Sequence, residues 1–354
     1  MKAFGFLSFG HYGRFPGSQT RDAAAALKQA VELGVGADSI GVNGAYFRVH
    51  HFERQAAAPI PVLSAIAART SRIEVGTGVI DMRYENPLYL AEELGALDLL
   101  SDQRIAIGIS RGSPETAVRG YEAFGYTGAQ DPRGGDIARE KFATFLAAIL
   151  GAGMVDADPQ RAPQGTRLPV QPHAPGLIDR IWWGSGTRET AEWVGKLGLN
   201  LMSSTLLTEA NGESFAALQK EQIDRFRAAY AEAGHTGAPR VSVSRSVFPI
   251  VNAQDAAYFG QSNDDDQIGV IDGFRSTFGK TYAAEPDVLI EQLKQDEAVM
   301  AADTLMLTIP NQLGVDYNLH VLDSFAKHVA PQLGWESNAE GPVTGEPIVA
   351  ATAR

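Results

Sequence analysis

Two stretches of the chain hold the groups an anion needs, and each follows a short apolar run. Gly108-Ile109-Ser110-Arg111-Gly112 sets a guanidinium between glycines, a fork able to grip a phosphate through two parallel hydrogen bonds. The bland reading of such an Arg is a solvated charge or half of a salt bridge. Gly184-Ser185-Gly186-Thr187-Arg188-Glu189-Thr190 is a glycine-rich turn running straight into a helix. Free N–H groups, the helix dipole and the hydroxyls of Thr187 and Thr190 would form an anion cradle there; otherwise Thr187 is simply the helix cap. The two segments follow consecutive strands, and that coincidence favours a phosphate site.

Two more segments could complete a site. Val75-Gly76-Thr77-Gly78-Val79 places glycines where a flat ligand could approach the backbone, or where strands need small residues to pack. Val49-His50-His51-Phe52 supplies two imidazoles. Adjacent residues point in different directions, so a metal shared by both is not expected. A single His acting as base or donor fits better. Trp182 and Trp183 could wall a planar ligand, but one of an adjacent pair normally faces away.

The elements that must position these segments are Val-, Ile- and Leu-rich runs alternating with amphipathic stretches, the pattern of βα units on a parallel sheet. Strands are expected over 3–9, 39–42, 73–80, 104–109, 178–183, 199–203, 241–251 and 304–309. Helices are expected over 20–33, 62–68, 139–150, 187–197, 215–233, 286–300 and 317–329. One more starts at the cap Asn86-Pro87, with Leu90, Leu94 and Leu97 facing inward. Gly34 reads as the stop of the first helix. Eight such pairs predict an α/β fold, a (β/α)8 TIM barrel with loop insertions over 112–135 and 252–285 and an irregular excursion over 151–176. One domain spans 1–335, and the aperiodic tail 336–354 is expected to be mobile or draped over the surface. Active sites of such barrels lie where strands end, which is where all four segments fall.

Composition narrows the chemistry. The 354 residues include no cysteine, which excludes disulfides, thiolate metal sites and thiol nucleophiles. A formal charge of -12 disfavours nucleic acid and anionic membrane surfaces as partners. The start of the chain meets Gly10, His11 and Arg14 before an apolar leader can form, and no window of ~18 apolar residues exists, so a soluble, cytoplasmic protein is expected. No metal is expected either: His-Glu-x-x-His is absent, and Asp264-Asp265-Asp266 lacks calcium-loop spacing and reads as a solvated turn.

In combination these motifs resemble those of the bacterial luciferase-like flavin-dependent monooxygenases. The likeness runs through Ala67-Ala68-Arg69-Thr70-Ser71-Arg72-Ile73-Glu74-Val75-Gly76-Thr77-Gly78-Val79, Asn86-Pro87 with Ala91-Glu92-Glu93 and Leu97-Asp98-Leu99-Leu100-Ser101, Gly108–Gly112, His50-His51-Phe52, Gly186-Thr187 and Gln312-Leu313-Gly314. It implies a barrel that binds reduced FMN in its mouth, the phosphate held by Arg111, Gly186, Thr187 and Thr190. A non-proline cis peptide beneath the flavin would fall at Gly78-Val79. His50 matches the active-site histidine of the family's Glu-His-His-Phe motif, with Val49 in place of the Glu. The resemblance further implies that reduced flavin and dioxygen form a flavin hydroperoxide, shielded from water and offered to a small-molecule substrate such as an aldehyde. A separate flavin reductase would supply the reduced flavin, since no nicotinamide fingerprint follows any strand. A homodimer through the second and third helices is implied as well. The rival readings are a deazaflavin-dependent oxidoreductase on the same barrel and a non-catalytic flavin-binding protein.

Overall fold

The computed structural model describes residues 3–112, 116–209, 211–261, 265–271, 274–339 and 341. Among them eight parallel strands close on themselves: β1 (Ala3–Ser8), β2 (Gly44–Phe47), β3 (Glu74–Asp81), β4 (Ile105–Ser110), β5 (Ile181–Ser185), β6 (Asn200–Ser203), β7 (Val241–Pro249) and β8 (Thr304–Ile309). Each pairs with the next in sequence. Ala3 opposite Thr304 joins β1 to β8, and Val241 opposite Leu201 joins β6 to β7. Around them lie α1 (Ala23–Ile40), α2 (Pro59–Ala67), α3 (Pro87–Leu100), α4 (Gly135–Ile149), α5 (Arg188–Lys196), α6 (Phe215–Glu232), α7 (Pro286–Gln295) and α8 (Val315–His328). This is the expected (β/α)8 barrel.

The strands are apolar on both faces because each separates two cores. One core fills the layer between strands and helices, and a smaller one inside the barrel gathers Leu7, Tyr46, Ala106, Trp182, Met202 and Met306. The tryptophan pair divides between them. Trp182 points inward, while Trp183 meets Phe142 and Trp193 with ring centroids 4.6 and 4.9 Å apart. Below the inner core, Glu74 accepts hydrogen bonds from Arg240 at 2.7 and 3.1 Å and from the Tyr46 hydroxyl at 2.6 Å, closing the barrel floor.

Three expectations are corrected. α1 does not stop at Gly34 but runs to Ile40, and Gly41, at φ 92°, caps it. Gly34 is there for close approach: a Cβ on it would come within 2.8 Å of Ile66 on α2. The second strand therefore lies at Gly44–Phe47 rather than 39–42. The helix expected over 286–300 is broken at Asp296, whose carboxylate caps a new turn at Ala298 and Val299 while pairing with Arg245 at 2.7 Å. By contrast the cap at Asn86 is present, accepting from Leu88 and Tyr89 at 3.0 and 3.1 Å.

The insertion after β7 contributes a helix, Ala253–Phe259, and an antiparallel hairpin, Gln267–Ile271 with Phe274–Phe278, which pairs onto Leu206–Leu207. The aspartate run is not wholly solvated: Asp266 accepts the N–H of Phe215 at 2.7 Å and of Lys280 at 3.0 Å, pinning the start of α6. Asp264 lies outside the described residues. The excursion over 151–176 is a small exposed hairpin, Gly153–Asp156 with Arg167–Pro169. The first residues of the expected tail dock against the barrel, Asn338 donating its N–H to the Gly41 carbonyl at 2.9 Å; residues 342–354 lie outside the described residues. No described helix is long and apolar enough to cross a membrane.

Candidate active site

The strand ends open into a cavity of about 570 Å³, within the range of roughly 300–1,000 Å³ usual for small-molecule sites. His50, Gly78, Val79, Arg111, Gly186, Thr187 and Thr190 all line it. A second cavity of about 590 Å³ lies between Gln19 and Gln29, Asn252 and the start of α8, and contains none of them.

At the β4 and β5 side two helix N-termini meet an arginine. Arg111 leaves the end of β4 and packs beside Gly135, the first residue of α4, where a Cβ would lie 3.4 Å from Arg111 Cδ. Gly135, Asp136 and Arg139 bring the first turns of α4 to the cavity wall. Thr187 is both cap and wall: its Oγ1 accepts the Thr190 N–H at 3.2 Å and lies 2.9 Å from Thr190 Oγ1. The turn below is held from behind. Gln222, fully buried on α6, donates to the carbonyls of Thr187 at 3.0 Å and Ser185 at 3.3 Å, and the Thr208 N–H donates to Gly186 O at 3.0 Å. Helix N–H dipoles and a guanidinium thus meet on this side of the cavity, with Asp136 and Glu189 of the same first turns in the lining.

On β3 the two glycines have different jobs. A Cβ on Gly76 would collide with the Ala106 carbonyl oxygen, so Gly76 serves strand packing. Gly78 lines the cavity, and its bond to Val79 is cis. Leu7, Val79, Met202 and Met306 form an apolar floor. β3 ends in Asp81, whose carboxylate is buried against Arg83 at 2.5 Å; burial raises its proton affinity and Arg83 opposes the rise.

The loop after β2 splits its histidines. His50 is buried in the cavity wall, its backbone N–H donating to Ala56 O at 2.9 Å. Burial first, and the Arg48 charge second, push it down to about 4, against the pull of Glu53. It is therefore neutral near pH 7, able to accept a proton at one nitrogen and donate at the other. His51 turns away and stacks on Tyr84 with centroids 4.0 Å apart. Arg48 also lines the cavity, its guanidinium carbon 4.7 Å from the Phe9 ring centroid.

Residues 108–112 also spell Gly-x-Ser-x-Gly. Ser110 Oγ accepts the Gly112 N–H at 2.7 Å, and no hydrogen bond among the described residues ties it to a histidine base, as a nucleophile elbow needs. No group of three His, Asp or Glu among the described residues could hold a metal. Asp81, Arg139 and Gln222 were not anticipated from the sequence. A carboxylate at a strand end and an amide interrupting the apolar face of α6 were the available signals.

Known proteins resemble this chain in sequence and in shape. The profile described as luciferase-like monooxygenase matches residues 3–285. The alkanal monooxygenase alpha chain of the Kryptophanaron alfredi symbiont is 23% identical over 220 residues, covering 60% of this chain and 57% of that protein. The chain thus spans less than two thirds of the length of the curated relatives it first matches. Two solved structures share the fold. The oxygenating constituent of 3,6-diketocamphane monooxygenase of Pseudomonas putida, in complex with FMN, has a TM-score of 0.68 at 17% identity, over 94% of this chain and 98% of that one. The coenzyme F420-dependent tetrahydromethanopterin reductase of Methanopyrus kandleri has a TM-score of 0.64 at 14% identity, over 94% and 99%.

Proposed function

Because the chain belongs to the luciferase-like monooxygenase family, we propose that it is a flavin-dependent monooxygenase using reduced FMN and dioxygen on a small organic substrate. One observation carries this reading: Arg111 and the N-termini of α4 and α5 converge at one side of a cavity that has His50 at another. The donor set suits a single phosphate dianion. In a chain of net charge -12, such a group needs local cations and oriented N–H dipoles.

Arg111, the Gly186 backbone and the hydroxyls of Thr187 and Thr190 would hold the phosphate, with Gln222 keeping their turn rigid. Gly78 and Val79 would let a flat ring system rest on the backbone, and the floor of Leu7, Met202 and Met306 would keep water from it. Bound reduced FMN would supply the activation of dioxygen and the oxygen atom delivered to substrate. His50, neutral and buried, would hold or pass a proton at the substrate side. A separate reductase would provide the reduced flavin, as the description of the FMN-bound neighbour as an oxygenating constituent suggests. The implied homodimer would use α2 and α3, of which α3 leaves Tyr89 and Leu100 exposed.

The fold is shared with a deazaflavin enzyme, which keeps hydride transfer as a second reading. Asp131, Asp136 and Glu189, which also line the cavity, favour a coenzyme with one phosphate over a longer anionic tail. Anaerobic titration with reduced FMN followed by air decides between them. A monooxygenase binds the flavin, slows its reoxidation and yields an oxygenated product from a substrate panel. Absence of all three, with reduction of a deazaflavin by an alcohol panel, contradicts the proposal.

A further inference from the structure

We propose that Arg83 is a positioning residue of the anion site: it fastens both ends of the insertion between β4 and α4 to the end of β3, and so holds Arg111 in place. The inference rests on the flavin reading in one respect, that a ligand phosphate is what Arg111 meets.

Arg83 follows the end of β3 and is bound first to that end. Its Nε donates to Asp81 Oδ1 at 2.9 Å and Oδ2 at 3.1 Å, and its Nη2 donates to Oδ2 at 2.5 Å. Its backbone N–H donates to Asp81 Oδ1 at 3.0 Å. The two side chains are 11% and 3% exposed, so water and salt screen this charge-assisted fork little. Asp81 is in the cavity lining and Arg83 is outside it. Between them Met82 donates its N–H to Ser110 O at 2.9 Å, which ties the ends of β3 and β4 together.

The third nitrogen of the guanidinium holds the insertion. Nη1 donates to the carbonyl of Arg133 at 3.1 Å, just before α4 begins. The next residue, Gly134, is pressed against the same side chain, for a Cβ on it would come within 2.9 Å of Arg83 Cδ. At the other end of the insertion a Cβ on Gly112 would collide with Asp81 Oδ2 and come within 2.9 Å of Arg83 Nη2. Gly112 and Gly134 stand at φ 85° and 71°, a backbone that other residues rarely adopt. Both ends thus close on one ion pair. The Tyr121 ring, inside the insertion, has its centroid 5.4 Å from the guanidinium carbon, and Lys141 of α4 donates to Arg83 O at 2.6 Å.

Arg111 sits inside this frame. Its backbone runs from Ser110, at the end of β4, to Gly112, seated on Asp81, and its side chain packs beside Gly135. A long, flexible side chain serves a ligand better when its neighbours limit where it can go, because less freedom is lost on binding. The Arg111 charge also reaches Asp81, so an Asp81 without Arg83 would compete with a phosphate. The test separates that effect from the tether.

The test is titration of FMN and of riboflavin into the unaltered protein, Arg83→Gln, Arg83→Lys and a double variant, Asp81→Asn with Arg83→Gln. Hydrogen exchange over 131–141 is followed in each without flavin. Arg83→Gln should lose about tenfold in FMN affinity while riboflavin stays within about twofold. The double variant leaves no carboxylate stranded and should show the same loss. Arg83→Lys keeps the charge but lacks the planar fork that also reaches Arg133, and should fall between. Both Gln variants should exchange faster over 131–141 while β3 and β4 keep their protection.

An FMN preference that survives Arg83→Gln overturns the proposal, as does equal weakening of both ligands, which a merely structural role would give. Full recovery in the double variant would trace the loss to the stranded Asp81 carboxylate, and unchanged exchange over 131–141 would remove the tether; each overturns the proposal. If the unaltered protein binds FMN no tighter than riboflavin, the phosphate reading falls and this inference with it, a failure visible before any substitution. If Arg83→Gln does not fold, the double variant and Arg83→Lys decide: an unchanged FMN-to-riboflavin ratio in both contradicts the proposal.

Discussion

Gln222 donates its side-chain amide to the carbonyl oxygen of Thr187 at 3.0 Å, from within the barrel wall and behind the turn that leads into α5. That bond aligns the turn without touching anything in the cavity. A buried amide spent this way converts a flexible glycine-rich segment into a fixed set of donors.

Gln222→Leu therefore should weaken FMN binding about tenfold by loosening the turn, though it removes no group that lines the cavity, and should cost about 1–3 kcal/mol of stability for the buried hydrogen bonds lost. Paired FMN titrations and urea unfolding check both. A stability loss with unchanged FMN affinity would reduce Gln222 to a packing residue.

Glu74 and Arg240 offer the opposite case, a buried pair far from the strand ends. Removing one partner leaves the other charged and stranded, so Glu74→Gln should destabilise the fold by about 3–5 kcal/mol. Ligand affinity in the remaining folded protein should be nearly unchanged, since the floor of the barrel lies away from the site. Denaturant unfolding alongside flavin titration separates the two quantities.

The histidines set a pH dependence. His50 and His51 are pushed from 6.5 to about 4, burial being the first cause for each. Folding thus disfavours their charged forms, and the unfolded chain binds more protons between those values. Stability falls as the pH drops from 6.5 toward 4. His50→Gln should lose less stability than the unaltered protein over that window, measured by urea unfolding at both ends. Equal losses would mean His50 titrates normally.

Arg48 is the second cause of the His50 shift. Arg48→Gln should therefore raise the His50 midpoint toward its ordinary value, read by NMR titration of the imidazole. An unmoved midpoint would mean that the Arg48 charge does not act on His50.

What the sequence disclosed was local. Arg111, Gly186, Thr187 and Thr190 stand in two short segments whose chemistry does not depend on distant residues, and the closed barrel brings the segments together because β4 and β5 are neighbours. What it hid was tertiary. Gly34 resembles a helix stop until Ile66 is seen packed against it. Gln222 reaches a carbonyl 35 positions earlier, and Glu74 meets an arginine 166 positions later. The Gly76 and Gly78 pair could not be divided between packing and cavity without knowing where the Ala106 carbonyl lies.

The most direct measurement is titration of the unaltered protein and of Arg111→Ala with FMN and with riboflavin, which lacks the phosphate. The account predicts that the unaltered protein binds FMN more tightly than riboflavin. Arg111→Ala should lose about tenfold to a hundredfold in FMN affinity while riboflavin affinity barely changes. Equal weakening of both ligands, or no preference for FMN at the outset, would contradict the phosphate assignment and with it the placement of the flavin.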